Sequence, residues 1–418
     1  MAGSLILLNV FFLVLLSLLA PVPAAPAGLI PPPRPDSTSS SASPNGPQHP
    51  LQTLEDDIII CDLFYTGPTT KHPPHHGNRT ATLYDNIAHD PAFTKLTQLV
   101  TARPAIVAAL STPNADVTLL APVNDAFKHH TCPPGHDAPP DEIVTSVLLY
   151  HLAVGAIGKK DLRPGDLLDT GLELPTLGNR PQKIRVFGHK DHISLNIHSH
   201  IIAPDMHASN GILHGISRIL IPPPDAFWVL AHIPLEFGIF AAAIRKTGFE
   251  PYIRDTPAIT LFPPTNLAFK HLGWRRLKYL FSDQGIPDLR EIVAFHICSA
   301  LVYTPEMKHR KKMAVPTLLE GRELDIRVRK EKHAGHRHHP HHGKIIDIND
   351  GEARISIADG IAMNGVLHAL DRVLDPCDTE SDTTTNSDEI DSTPVLASDS
   401  THETVLESIV AMIIDMDV

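Results

Sequence analysis

The chain has no Gly-x-Ser-x-Gly elbow, no His-Glu-x-x-His, no Cys-x-x-Cys and no phosphate-binding glycine loop. The reactions these patterns serve are without support, and no catalytic residue, cofactor or enzyme activity is expected. Lys and Arg are missing from Asp378 to Val418, where eleven Asp or Glu stand. The net charge of −12 is therefore carried by the C-terminal end, and the remainder is close to neutral. Without a basic excess, the chain has no electrostatic footprint for nucleic acid. Aromatic residues make up only 5%, yet 42% apolar residues suffice for real cores in 418 residues, enough for two or three domains.

Long apolar runs are scarce too. The main one, Leu5 to Ala20, covers sixteen residues, short of the roughly 20 a membrane span takes. Small residues and prolines follow it, so residues 1–25 read as a secretory signal peptide, although no Lys or Arg precedes the apolar stretch. The competing reading is an uncleaved anchor that holds the chain in the lumen of a vacuole or other endomembrane compartment. Residues 26–80 read as a Pro- and Ser-rich linker, with ten prolines between 21 and 50. Residues 377–418 read as an acidic, Ser/Thr-rich disordered tail. Cysteine is limited to Cys61, Cys132, Cys298 and Cys377. In an oxidising compartment these allow two bridges in three connectivities, among which spacing does not choose. Asn78-Arg79-Thr80 is an N-glycosylation sequon.

Between linker and tail, one phrase is written twice. Thr118-Leu119-Leu120-Ala121-Pro122-Val123-Asn124-Asp125-Ala126-Phe127 returns as Thr260-Leu261-Phe262-Pro263-Pro264-Thr265-Asn266-Leu267-Ala268-Phe269. Each apolar run ends at proline, which cannot continue a central strand. Asn124 and Asn266 then stand where a side chain can cap the next helix. A second phrase also repeats. Asn210-Gly211-Ile212-Leu213-His214 precedes Arg218 to Pro222, and Asn364-Gly365-Val366-Leu367-His368 precedes Arg372 to Pro376. Asn-Gly predicts a turn, since both residues tolerate positive φ, and a trailing strand is expected after each. Tyr150-His151 and Phe295-His296 end two helical apolar runs. The glycines at 155, 158, 165, 171 and 178 divide the following stretch into short pieces. A repeat of this length is a duplicated domain.

These phrases resemble the fasciclin domain. Thr-x-x-Ala-Pro-x-Asn-x-Ala-Phe, the aromatic-His pair and Asn-Gly-x-x-His each occur twice, with Pro263 in place of alanine and Phe295 in place of tyrosine. The resemblance covers residues 81–223 as domain 1 and 224–376 as domain 2. It implies an α+β fold of two tandem fasciclin-like domains, each a β-sandwich wedge with flanking helices. It also implies non-enzymatic adhesion at a cell surface or in a matrix or wall, with an extracellular protein or glycan as partner. Membrane association would run through a receptor or an uncleaved N-terminal segment. In animal members an aspartate before the Asn-Gly turn and the Tyr-His pair are implicated in partner binding. That places candidate contacts at Asp205, Met206, Asp359, Tyr150, His151, Phe295 and His296. Met206 and Gly360 replace the isoleucine of the animal motif.

For the histidines 151, 214, 296 and 368, each at the end of an apolar run, a hydrogen-bonded core position is the plainer expectation. Asp205 and Asp359 have an equally plain reading as local turn stabilisers. His333, His336, His338, His339, His341 and His342 fall within ten residues and would bind Zn, Cu or Ni. Pro340 and the neighbouring glycines point instead to a loop with no built site.

Overall fold

The computed structural model describes residues 77–129, 139–189, 192–309, 311–330 and 344–376. The signal segment, most of the linker, Cys61, Cys132, Cys377, the histidine run and the acidic tail lie outside the described residues. The chain passes from one compact unit to the next between Asp225 and Ala226.

Domain 1 opens with helix α1 (Leu83–His89), set by a capping box: Asp85 N–H donates to the Thr82 hydroxyl, and the Asp85 carboxylate accepts from Thr82 N–H. Helices α2 (Thr94–Thr101), α3 (Pro104–Ser111) and α4 (Asp141–Tyr150) follow. Their buried face is apolar: Leu83, Ile87, Phe93, Leu96, Val100, Ile106 and Leu110 join one core with Leu119, Met206 and Leu213.

The strands are β1 (Val117–Pro122), β2 (Leu152–Val154), β3 (Leu167–Leu174), β4 (Arg180–His189), β5 (His192–Leu195), β6 (Ser199–Ala208) and β7 (Gly211–Ile216). Each pairs with the next, antiparallel throughout, and β7 returns to β1 in parallel, so the ladder closes on itself. A closed ladder leaves no unpaired edge. The seam between β2 and β3 is one residue pair, Ala153 with Thr170.

Domain 2 carries helices α5 (Ala226–Ala231), α6 (Pro234–Thr247), α7 (Glu250–Asp255), α8 (Asn266–His271), α9 (Trp274–Leu280) and α10 (Ile286–Phe295). Gly248, at φ 74, ends α6 as its left-handed cap. Its strands are β8 (Ile259–Leu261), β9 (Ile297–Cys298), β10 (Lys312–Pro316), β11 (Glu323–Lys330), β12 (Lys344–Ile348), β13 (Ala353–Ala362) and β14 (Gly365–Leu370). Their order is β10-β11-β12-β13-β14-β8-β9. That is the first ring cut between its second and third strands. The cut is spanned by an isolated antiparallel bridge, Cys298 with Thr317. The two sequence phrases thus mark two copies of one strand order.

Several expectations need correction. Arg218–Pro222 and Arg372–Pro376 form no strand; the strands are the Asn-Gly phrases themselves, β7 and β14. Neither Asn210 nor Gly211 uses positive φ. Gly211 is required for another reason: a Cβ there would lie 2.0 Å from the Val117 carbonyl oxygen of the neighbouring strand. Gly171 does not break the chain but sits inside β3, where the register shifts and α4 approaches. The two-bridge reading of the cysteines falls as well, because Cys298 is a free, buried thiol whose pKa is pushed up to about 12 by burial.

Gly211→Ala should destabilise the protein by about 1–3 kcal/mol or more. Urea denaturation measures this, and an unchanged midpoint would contradict the β1–β7 contact.

Candidate functional site

Each domain holds two buried histidines with opposite proton placement. His151 ends α4; its Nδ1 lies 2.7 Å from the Val147 carbonyl, and its Nε2 accepts the Leu220 N–H at 2.9 Å. His296 repeats this at the end of α10, with Ile292 O at 2.7 Å and Leu374 N at 3.1 Å. A carbonyl can only accept and a backbone N–H can only donate, so both imidazoles are neutral with the proton on Nδ1. His214 and His368 are the reverse. Their Nε2 atoms donate to Ile157 O (2.8 Å) and Val302 O (2.9 Å), and their Nδ1 atoms accept from Asp205 N (3.0 Å) and Asp359 N (3.2 Å). The helix-end histidine and the Arg-to-Pro segment therefore meet in space: the imidazole ties a helix end to the backbone that closes the domain.

Burial pulls the His296 pKa from its ordinary value down to about 4, despite opposing help from the Ile292 carbonyl and Asp375. His214 is lowered for the same reason, with Ile157 and Asp205 opposing.

The second group is a loop held from three sides. After β2, the Thr118 hydroxyl donates to Gly155 O (2.6 Å) and accepts from Ile157 N (2.8 Å). His214 takes the Ile157 carbonyl, and the Asp205 carboxylate accepts from Lys159 N at 2.7 Å. Domain 2 matches it: Thr260 holds Ala300 O and Val302 N, His368 holds Val302 O, and Asp359 accepts from the Thr304 N–H and hydroxyl. The two threonines open the repeated phrase, and that repetition is the signal by which their role is visible in the sequence.

Asp205 and Asp359 are not local turn stabilisers. They sit in β6 and β13 at φ 57 and 53, with partners 46 and 55 residues away. In β6 the register shifts between Ala203 and Met206, so Asp205 is part of a bulge. Asp205 is exposed, whereas Asp359 is 2% exposed.

The other candidates lie inside. Tyr150 is fully buried; its hydroxyl donates to Lys183 O and accepts from Asn196, and burial raises its pKa. His151, Phe295, His296 and Met206 are buried in their cores as well. None of these side chains presents a surface to a partner in the folded domain. The reason is that the aromatic-His pair closes a helix against the core.

Asn124 and Asn266 do accept backbone N–H groups, but not those of the helix they begin. The Asn124 amide accepts from Lys95 N and donates to Pro91 O; Asn266 accepts from Ile239 N and donates to Pro234 O. Asn124 clamps the segment that runs from Pro91 into α2, and Asn266 clamps the start of α6. Thr265 is the cap of α8, and Asn124 starts a 3-10 turn. Asn210 is buried, accepts from Leu83 N and donates to the carbonyls of Leu110 and Thr112, fastening α1 and α3 to the β6–β7 hairpin. Gly365 begins β14, next to the buried Asn364.

Domain 1 also contains a cleft of about 340 Å³. Asn78, Asp85, His89 and Asp90 line it, together with the buried Phe93, Met206 and Leu213. Asn78 is exposed, and its side-chain oxygen accepts from the Thr80 N–H and hydroxyl. Among the described residues, no three His, Cys, Asp or Glu assemble to hold a metal ion, and no helix is long and apolar enough to cross a membrane.

His296 makes stability depend on pH. Its folded pKa lies below the unfolded value, so the unfolded chain binds the extra proton between about pH 6.5 and 4. Its contribution is complete above that window and is lost as pH falls through it. Thermal melts should move to lower temperature over this range by the equivalent of a few kcal/mol, on the order set by one pKa unit being roughly 1.4 kcal/mol. His296→Gln should flatten that part of the profile, and an equally steep profile in the variant would contradict the assignment.

The profile of the fasciclin domain matches residues 91–222 and 235–376. The Aurofusarin biosynthesis cluster protein S of Gibberella zeae is similar, 27% identical over 334 residues that cover 73% of this chain and 79% of that protein. A fasciclin-like arabinogalactan protein of Arthroderma benhamiae is 27% identical over 278 residues, 62% of this chain and 59% of the relative. The transforming growth factor-beta-induced protein ig-h3 of Sus scrofa is 26% identical over 263 residues, and the match spans a third of that longer protein (33%). With the profile found twice and the same strand order in both units, the chain belongs to the fasciclin-domain family as a tandem pair.

Proposed function

We propose that the protein is a secreted, non-enzymatic adhesion or interaction protein that binds an extracellular protein or glycan through loops of its fasciclin domains. Family membership supports the class of function. The observation that carries the surface is the loop after β2 in domain 1. Thr118, His214 and Asp205 fix its backbone, while Ala156, Lys160, Asp161, Pro204 and Asp205 are exposed. A loop fixed before contact loses little entropy on binding, which is how a small surface gains affinity. The matching loop of domain 2 buries Leu301, Val302 and Tyr303, and its aspartate is buried, so domain 1 is the presenting copy.

One relative favours a second reading. The fungal protein that covers most of both chains is named for a biosynthesis cluster, which suggests an accessory role beside a set of biosynthetic enzymes. Deletion of the gene in its source organism with an unchanged profile of secreted metabolites would remove that reading.

The two aspartates should respond differently. In the full chain, Asp205→Ala should weaken capture of cell-wall or matrix material at least about fivefold, with a smaller stability loss than Asp359→Ala because water can replace its carboxylate at the exposed Lys159 N–H. Asp359→Ala should leave capture unchanged but cost about 1–3 kcal/mol, because the Thr304 N–H and hydroxyl lose their acceptor. Equal capture by wild type and Asp205→Ala would contradict the proposed surface.

Asn78 is proposed as the site of an N-linked glycan, since the sequon is exposed and its Thr80 hydroxyl already meets the Asn78 amide. Protein from a eukaryotic host should lose mass on treatment with an amidase that removes N-glycans, and Asn78→Gln should abolish the loss. No mass change in the wild type would refute it.

A further inference from the structure

The duplication provides an internal reference for surface residues. Asn124-Asp125-Ala126-Phe127-Lys128-His129 and Asn266-Leu267-Ala268-Phe269-Lys270-His271 are the same hexapeptide except at one position. That position is half-buried in domain 1 and exposed in domain 2. In domain 1 it is Asp125, which pairs with Lys128 at 2.7 Å. In domain 2 it is Leu267, 61% exposed. A second departure stands beside it. The asparagine clamp matches Pro91 with Pro234, so Ala92 corresponds to Leu235, which is 80% exposed. Asn266 holds the Pro234 carbonyl at 2.8 Å, bringing Leu235 and Leu267 to one corner. Two bare leucines there run against the ordinary preference of a surface, and domain 1 has neither.

The chain that builds this corner and runs on into α9 is cationic. No Asp or Glu occurs from Thr256 to Ser282, while Lys270, Arg275, Arg276 and Lys278 do. On α8, Lys270 and His271 follow Leu267 at helical spacing on the exposed face, and Ala268 and Phe269 are buried. On α9, Arg275, Lys278 and Tyr279 are exposed while Leu277 and Leu280 are buried. Arg276 pairs with Asp375 at 2.9 Å, and the Tyr279 hydroxyl donates to Asp288. Lys270, Arg275 and Lys278 form no ion pair among the described residues. The half-buried Glu236 is the nearby acid on α6.

We propose that this corner of domain 2 docks on an anionic lipid surface, with Leu235 and Leu267 entering the headgroup layer and Lys270, Arg275 and Lys278 meeting lipid phosphates and carboxylates. Exposed aliphatic side chains together with Lys, Arg, Trp and Tyr are what an interfacial contact needs, since apolar burial and charge attraction add together. A soluble polyanion would satisfy the cations but leave both leucines in water, so lipid fits the whole patch. The contact is peripheral and needs no membrane-spanning segment.

The test is co-sedimentation of the purified full-length chain with phosphatidylcholine vesicles containing about 30% phosphatidylserine, against phosphatidylcholine alone. Wild type should pellet with the anionic vesicles, and its tryptophan emission should shift to the blue. Trp274 is half-buried at the patch, whereas Trp228 is already buried at 5% exposure. The variant Leu235→Ala/Leu267→Asp restores the residues of domain 1 and should lower partitioning about tenfold or more. Arg275→Glu/Lys278→Glu, which changes only exposed side chains, should do the same and should remove the salt sensitivity. Circular dichroism melts check that each variant remains folded. The proposal is overturned if wild type stays in the supernatant, or if both folded variants pellet like wild type. It is equally overturned if dextran sulfate binds as tightly as the vesicles and the leucine variant keeps that binding, which would mark a polyanion site. Loss of a vesicle-free dimer in the leucine variant would mark a self-association surface instead.

Discussion

An N–H group from the Asp205 backbone points at Nδ1 of His214, and that bond exists only while the nitrogen carries no proton. The same condition holds at Nε2 of His151 and His296 and at Nδ1 of His368. Each imidazole bridges a donor and an acceptor that would otherwise be buried without partners, and an orphaned backbone group costs about 1–3 kcal/mol. A protonated ring would face a donor with a donor. The neutral imidazole is therefore a structural cross-link, and helix ends, bulges and the loops after β2 and β9 all depend on it.

Around these four rings the two copies agree closely. Thr118 and Thr260 hold matching loops, and Asn124 and Asn266 clamp the starts of matching helices, α2 and α6. Agreement ends at the surface. Asp205 is exposed while Asp359 is buried, and Asp125 becomes Leu267. Buried polar networks tolerate little change because every member needs its partner. Exposed positions carry no such constraint, so it is there that one fold can present two different faces.

Much of this was legible in the sequence. The repeated phrases located both copies of the domain. What escaped were facts of distance. Asn124 looks like the cap of the helix that follows, but its partners lie about thirty residues earlier. Asp205 sits five positions before an Asn-Gly turn, yet its partner is the Lys159 N–H in another loop. Gly211 looked like a residue chosen for positive φ and proved to be chosen for the Val117 carbonyl pressed against it. Tyr150 was a candidate contact by resemblance to the animal motif, but Lys183 and Asn196 satisfy its hydroxyl in the core. Local pattern shows which residues matter and leaves open what they touch.

Proton placement on the four rings tests this account most directly. Histidine-selective 15N labelling, with single His→Gln variants for assignment, resolves the two ring nitrogens by their long-range couplings. Near pH 6 the account predicts four neutral rings, protonated on Nδ1 at His151 and His296 and on Nε2 at His214 and His368, with no averaging against a charged form. Ring signals that titrate together near the ordinary histidine value, or one shared tautomer for all four, would contradict it.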